Sequence, residues 1–218
     1  MNNVGSRDGT TIGFDRSGEG PPIVLVGGAF NDRSTAAPLA AQLEPRFTVF
    51  TYDRRGRGGS GDTAPYAVDR EIEDLEALIA DAGGSASVYG LSSGGVLALE
   101  AAARGLPITR LVVFEPPFIV EGSRPRPPED LALQLSELAS SGRRGDAVEL
   151  FITKAVGLPV EAVEQMRNAP MWPGLEEVAH TLDQRTLEGQ FHDVAPEVLA
   201  PALQEFFAAG RTMEGVNS

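Results

Sequence analysis

The chain has 218 residues, of which 42% are hydrophobic and 22% charged, so it is long enough for one domain with a large buried core. Its net charge of −13 argues against nucleic acid or an anionic membrane surface as a partner, because both would repel it. Without cysteine there is no disulfide framework, and with His180 and His192 as the only histidines we expect no metal site.

The first part of the chain alternates strand patterns with helix patterns. Strands are predicted over residues 10–15, 22–26 and 47–52, and the second of these is a continuous apolar run typical of a strand buried on both faces. Helices are predicted over residues 32–43 and 68–82. Strands that alternate with helices predict an α/β fold, with a mostly parallel sheet and helices on both faces.

The loop after the third strand is rich in arginine and glycine. We expect Arg54, Arg55 and Arg57 to brace this loop through ion pairs. Residues 56–61 have the G-x-G-x-x-G spacing of a dinucleotide site, but the first glycine does not follow the strand directly and no helix begins at the third, so we expect no cofactor. The acidic run at residues 69–74, in the next helix, is expected to face solvent.

The turn from Gly90 to Gly94 lies between a predicted strand (residues 85–89) and a predicted helix (residues 96–104). A G-x-S-x-G sequence in this setting is typical of a nucleophile elbow, in which a tight turn holds a serine hydroxyl out of the sheet and requires glycine on either side. We therefore predict that Ser92 is a nucleophile; the alternative is an ordinary glycine-rich loop.

After a further predicted strand at residues 108–114, the alternation stops. A proline-rich segment at residues 124–128 precedes helix patterns at residues 130–140, 146–156 and 160–167. These patterns predict a group of helices inserted after a strand.

We expect residues 116–173 to form a helical cap, and residues 1–115 and 174–218 to form the α/β core. The bulky apolar side chains of the cap either line a substrate pocket, together with Phe30, or pack within the cap itself. They are Phe118, Phe151, Met166, Met171 and Trp172. Beyond the cap, a helix is predicted at residues 174–182, a short strand at 184–187 and a closing helix at 196–209.

Three motifs occur in order along the chain: V-L-V-G-G-A-F, Y-D-R-R-G-R-G-G-S-G-D and Y-G-L-S-S-G-G. In this combination the chain resembles the α/β-hydrolase superfamily, and within it a small esterase-like member. The resemblance runs from residue 22 to residue 118 and resumes at residues 187–194. It implies the α/β-hydrolase fold, in shortened form, with a helical cap, a small-molecule substrate and no cofactor.

The resemblance also implies catalytic roles. Ser92 would be the nucleophile, and His192 the general base that takes its proton. The oxyanion hole would consist of the backbone N–H of Ser93 and that of Ala29, with Phe30 as the second choice for the latter.

The acid of the triad is where the chain departs from the family pattern. Most relatives carry this acid after a strand-helix unit that precedes the strand leading to the catalytic histidine. Here only residues 181–184 separate a predicted helix from the strand before His192. One strand-helix unit is therefore predicted to be missing. Some relatives place the acid directly after the strand that follows the helix of the elbow. At that position this chain has Glu115, which would either orient His192 or bind backbone donors at the start of the cap. Asp183 and Asp193 are poorer candidates, because a close neighbour of His192 in sequence seldom reaches its far ring nitrogen.

A shortened sheet would leave an edge unprotected, which favours a homodimer through that edge or strand exchange. As function we expect a serine hydrolase that cleaves a small carboxylic ester or lactone. The alternatives are a degenerate hydrolase fold that binds small molecules or assembles with partners, and a lyase or cyclase that uses the same pocket. With no basic leader and no apolar stretch of membrane-spanning length in the sequence, we expect a cytoplasmic protein.

Overall fold

The computed structural model of the protein describes residues 1–119 and 125–183. Six strands in this part of the chain form one sheet. They are β1 (Asn2–Gly5), β2 (Thr11–Ser17), β3 (Pro22–Val26), β4 (Thr48–Tyr52), β5 (Ala86–Leu91) and β6 (Ile108–Phe114). Their spatial order is β1-β2-β4-β3-β5-β6.

The sheet is mixed but mostly parallel, which confirms the predicted fold class. β3 is parallel to β4 and to β5, and β5 is parallel to β6. β1 and β2 pair antiparallel at one edge, and β2 is antiparallel to β4. β1 was not predicted, because Asn2-Asn3-Val4-Gly5 has no apolar alternation and is held to β2 through backbone pairing.

Helices cover both faces of this sheet. On one face lies the main core, which includes the buried residues Phe50, Leu75 and Ala98. On the other face Ala40 packs against Leu25 and its neighbours. The helices concerned are α1 (Ala37–Leu43), α2 (Val68–Asp81) and α3 (Ser93–Ala103). The helix predicted from residue 32 begins as a 3₁₀ turn, Arg33–Ala36, before α1.

Residues 131–182 form a separate helical layer with its own apolar core. Its elements are α4 (Leu131–Ser140), α5 (Arg144–Phe151), a π-helical turn (Ile152–Val156), α6 (Val160–Arg167), α7 (Trp172–Glu177) and a 3₁₀ turn (Ala179–Thr181). The core of this layer extends past residue 173 to Leu182. None of the helices described is long and apolar enough to cross a membrane.

The helix predicted at residues 174–182 is thus two short pieces, α7 and the 3₁₀ turn that follows. The strand predicted at residues 184–187 and the closing helix at residues 196–209 lie outside the described residues.

Two arginines of the loop after β4 form buried ion pairs with α2, as the sequence predicted. Arg54 bonds Glu71 through Nε and Nη2, both at 2.6 Å, and Arg55 bonds Asp74 at 2.8 and 2.6 Å. The prediction that the acidic run of α2 faces solvent is wrong for these two carboxylates, because Glu71 and Asp74 are 2% and 1% exposed. The predicted ion pair of Arg57 is not found within the described residues, where its partners are two backbone carbonyls and a hydroxyl.

Candidate active site

Ser92 lies in the turn between β5 and α3, where its backbone adopts φ 52° and ψ −121°. A non-glycine residue rarely adopts this conformation, and such strain concentrates at functional sites. The flanking glycines make the turn possible. A Cβ at Gly90 would lie 2.6 Å from the Gly94 carbonyl oxygen, and a Cβ at Gly94 would overlap the carbonyl oxygens of Val26 and Gly27.

The turn is anchored to the neighbouring strand and to its own helix. The Ser92 N–H donates to the Phe114 carbonyl oxygen at the end of β6 (2.9 Å), and the Ser92 carbonyl accepts from the N–H of Gly95 (2.9 Å). Both backbone polar groups of Ser92 are therefore occupied, so the turn holds the residue rigidly while its side chain stays half-buried.

The loop after β3 lies directly against Ser92. A Cβ at Gly28 would be 3.2 Å from Ser92 Cβ. Both backbone polar groups of Gly28 are bonded: its N–H donates to Asn31 Oδ1 (2.7 Å), and its carbonyl accepts from Arg57 Nη1 (2.6 Å). Gly28 itself is thus unable to donate to a substrate.

Three other backbone N–H groups, two in the loop after β3 and one at the start of α3, form no hydrogen bond within the described residues. Those of Ala29, Phe30 and Ser93 donate to no acceptor within residues 1–119 and 125–183. Ser93 is also the first residue of α3, so its N–H lies at the positive end of the helix dipole. This arrangement suits a negatively charged oxygen next to Ser92.

A buried polar cluster of Arg54, Glu71 and Ser93 supports the turn at Ser92. Arg54 Nη1 donates to Ser93 Oγ (3.1 Å) and to the Gly27 carbonyl (3.4 Å), while Nε and Nη2 donate to the Glu71 carboxylate. Burial raises the pKa of Glu71, but the Arg54 cation and its hydrogen bonds lower it by more, so the carboxylate stays charged. The sequence motifs gave no sign of this support, because Arg54 and Glu71 are seventeen residues apart.

Glu115 directly follows Phe114, the residue whose carbonyl holds the Ser92 N–H. It is exposed and has a φ of 49°, the second positive φ of a non-glycine residue in the described chain. Glu115 and Ser92 therefore occupy the same carboxyl end of the sheet, on adjacent strands. His192 lies outside the described residues.

The apolar residues predicted to line a pocket fall into different environments. The rings of Phe30 and Phe151 meet edge to face with centroids 5.4 Å apart, so the loop after β3 contacts the helical layer. Trp172 is buried within that layer and donates from Nε1 to Glu176 (3.0 Å). Phe118 is half-buried, and Met171 is 55% exposed.

Comparisons with known proteins agree with this geometry. The model of a family described as the alpha/beta hydrolase family matches residues 23–214. An alpha/beta hydrolase from Sphaerobacter thermophilus shares 52% identity with a TM-score of 0.82, over 94% of this chain and 87% of that chain. The bottromycin epimerase BotH, solved with bottromycin A2, shares 26% identity with a TM-score of 0.61, over 87% of this chain and 74% of that chain.

Among curated proteins, the lipase LipV of Mycobacterium tuberculosis is 35% identical over 116 residues, which are 52% of this chain and 44% of the lipase. The chain spans less than half the length of the curated relatives it matches. The family match nevertheless extends over both β3 and the elbow around Ser92. The chain belongs to the alpha/beta hydrolase family.

Proposed function

We propose that the protein is a serine hydrolase that cleaves a small carboxylic ester or lactone through an acyl-Ser92 intermediate. The observation that carries the proposal is the strained, doubly anchored backbone of Ser92, together with the N–H groups of Ser93 and of Ala29 in the adjoining loop, which donate to no acceptor within the described residues. The likeness to a protein named as a lipase supports an ester as the substrate class.

In the first half-reaction, Ser92 Oγ attacks the carbonyl carbon of the ester while His192 takes the hydroxyl proton. The carbonyl electron pair moves to oxygen, and the N–H groups of Ser93 and Ala29 donate to the resulting oxyanion. When the tetrahedral intermediate collapses, the bond to the alcohol oxygen breaks and His192 returns the proton to this leaving group. The acyl group remains on Ser92; in a lactone the alcohol stays attached to it.

In the second half-reaction, His192 takes a proton from water, and the water oxygen adds to the acyl carbon. Collapse of this second intermediate breaks the bond to Ser92 Oγ, which recovers its proton from His192. We propose Glu115 as the carboxylate that orients His192, because it lies at the same end of the sheet as Ser92.

A second candidate function is a non-hydrolytic reaction in the same pocket. The likeness to an epimerase favours it, since this neighbour carries out an isomerisation rather than a hydrolysis. In that case the base at His192 would move a substrate proton, and Ser92 would form no acyl intermediate.

Mass spectrometry of the intact protein after treatment with a fluorophosphonate separates these possibilities. We expect one adduct on the wild type and none on Ser92→Ala, because only an activated serine attacks phosphorus at a useful rate. His192→Ala and Glu115→Gln should react more slowly, by about 10⁴-fold where the triad loses its orienting acid. Turnover of 4-nitrophenyl acetate should likewise be fastest in the wild type, slower in His192→Ala and Glu115→Gln, and absent in Ser92→Ala.

The matched control is Ser87→Ala, since Ser87 lies on β5, the strand before the turn at Ser92, and its hydroxyl bonds that of Thr109 at the surface (3.1 Å). It should form the adduct at the wild-type rate. A folded wild type that forms no adduct would contradict the hydrolase proposal, and an adduct without ester turnover would favour the non-hydrolytic reaction.

A further inference from the structure

Arg57 is a buried cation without a carboxylate partner. It is 2% exposed, and no carboxylate of residues 1–119 and 125–183 forms an ion pair with it. Its partners are the carbonyls of Gly28 (2.6 Å from Nη1) and Asn31 (3.4 Å from Nη1) and, from Nε, Thr181 Oγ1 (3.2 Å). Burial of an unpaired charge is costly, so the position calls for an explanation beyond packing.

The neighbouring arginines of the same loop show the contrast. Arg54 and Arg55 are equally buried, but each is neutralised by a bidentate carboxylate of α2. Burial lowers the pKa of the Arg57 guanidinium, and the Arg54 cation lowers it further. The Glu71 carboxylate offsets part of this lowering, but no carboxylate within the described residues bonds Arg57, so its donors are left for Thr181 and for the carbonyls of the loop after β3.

The group that Arg57 holds most tightly shares a peptide plane with the proposed oxyanion donor. The Gly28 carbonyl and the Ala29 N–H belong to one planar trans peptide, so they point in opposite directions and rotate together. A donor at 2.6 Å from the Gly28 oxygen consequently fixes the direction of the Ala29 N–H. It also polarises the peptide, which makes that N–H a stronger donor.

Other contacts leave this peptide little freedom on its remaining sides. Asn31 Oδ1 holds the Gly28 N–H, and the Phe30 ring packs against Phe151. Because these contacts fix the groups on either side, the orientation of the peptide between Gly28 and Ala29 depends on the hydrogen bond from Arg57 to the Gly28 carbonyl.

We propose that Arg57 is a positioning residue for the oxyanion hole, which orients the Gly28–Ala29 peptide toward Ser92 and strengthens the Ala29 N–H as a donor. This inference rests on the proposed function. It predicts that Arg57 acts on the transition state of acyl transfer and contributes little to binding of the neutral ester.

The test compares Arg57→Gln and Arg57→Lys with Arg55→Lys, using 4-nitrophenyl acetate turnover and the rate of reaction with a fluorophosphonate. We expect kcat to fall about 10²-fold in Arg57→Gln and about tenfold in Arg57→Lys, because lysine keeps the positive charge but lacks the planar guanidinium. The KM of both variants should change less than about threefold. The fluorophosphonate reaction should slow by a similar factor, because the phosphoryl oxygen uses the same donors.

Arg55→Lys is the matched control, since Arg55 is as buried as Arg57 but holds Asp74 and Asp8 rather than the loop after β3. It should lower the melting temperature and leave kcat within about threefold of the wild type. If Arg57→Gln does not fold, Arg57→Lys decides the question.

Two outcomes would overturn the inference. One is a folded Arg57 variant with the wild-type kcat, and the other is an equal loss of kcat in Arg55→Lys. An inert wild type would contradict the proposed function itself and this inference with it, whereas an active wild type with insensitive Arg57 variants would contradict only the inference.

Discussion

At the scale of single residues, the turn at Ser92 depends on the absence of a side chain at Gly90. Gly90 has no room for a methyl group, because its Cβ would lie 2.6 Å from both the Gly94 carbonyl oxygen and Gly95 Cα. These are backbone atoms of the turn, so they are unable to move without displacing Ser92.

We therefore expect Gly90→Ala to lower the free energy of unfolding by about 3 kcal/mol and to reduce fluorophosphonate labelling of the folded fraction. Gly174→Ala in α7 is the control, since a Cβ there meets nothing within 4 Å. It should raise stability by about 0.5–1 kcal/mol, as expected for glycine in a helix. Urea denaturation checks both values, and equal stability of Gly90→Ala and the wild type would refute the steric argument.

At the scale of elements, α2 is joined to the carboxyl end of the sheet, where Ser92 lies, through charges as well as through apolar packing. Arg54 is bonded to Glu71 on one side and to Ser93 at the start of α3 on the other. Removing the Glu71 carboxylate would leave the buried Arg54 guanidinium without its ion-pair partner, beside the turn at Ser92.

For this reason Glu71→Gln should cost about 3–5 kcal/mol of stability, the range for one partner of a buried pair. Glu73→Gln on the same helix changes a partly exposed carboxylate that pairs with Arg70 (3.0 Å), and should cost about 0–1 kcal/mol. The free energies from urea titration of the two variants give the comparison, and a loss below 1 kcal/mol in Glu71→Gln would count against the proposed support of Ser93.

The elements that the sequence predicts well are those with a strong local pattern. β3 and β6 begin and end at the predicted residues, and the elbow has the predicted strand-turn-helix context. What escaped prediction depends on partners distant in sequence: β1 exists through pairing with β2, and the burial of Glu71 depends on Arg54, seventeen residues away. The hydrogen bonds of Arg57 escaped prediction for the same reason, because its partners precede it by up to 29 residues or follow it by 124.

At the scale of the whole molecule, the net charge of −13 and the paired carboxylates have opposite effects on stability as pH falls. Lower pH relieves the repulsion among carboxylates that have no partner. Several others are stabilised in the charged form, however. Burial raises the pKa of Asp8, but hydrogen bonds from Thr10 and Arg55 lower it by more, and a hydrogen bond from Ser34 lowers the pKa of Asp32.

A carboxylate whose pKa is lowered by folding contributes stability above its unfolded pKa of about 4, and this contribution disappears as pH falls toward the folded pKa. We therefore expect the urea midpoint to decrease from about pH 4 downward, and the decrease to be smaller in Asp8→Asn, which has already lost the contribution. A midpoint that rises between pH 5 and pH 3 would show that relief of repulsion outweighs the paired carboxylates.

The hydrogen bond between Arg57 and Thr181 also bears on how the protein is made. Its two residues are 124 positions apart, so a growing chain contains all six described strands and the turn at Ser92 well before Thr181 is synthesised. Until the helical layer docks, Arg57 lacks that acceptor, and contacts of such long range form late in folding. We expect the six described strands to pair first and the peptide at Ala29 to gain its final orientation last, so that a nascent chain with all six of these strands does not yet hold the proposed oxyanion donor in place.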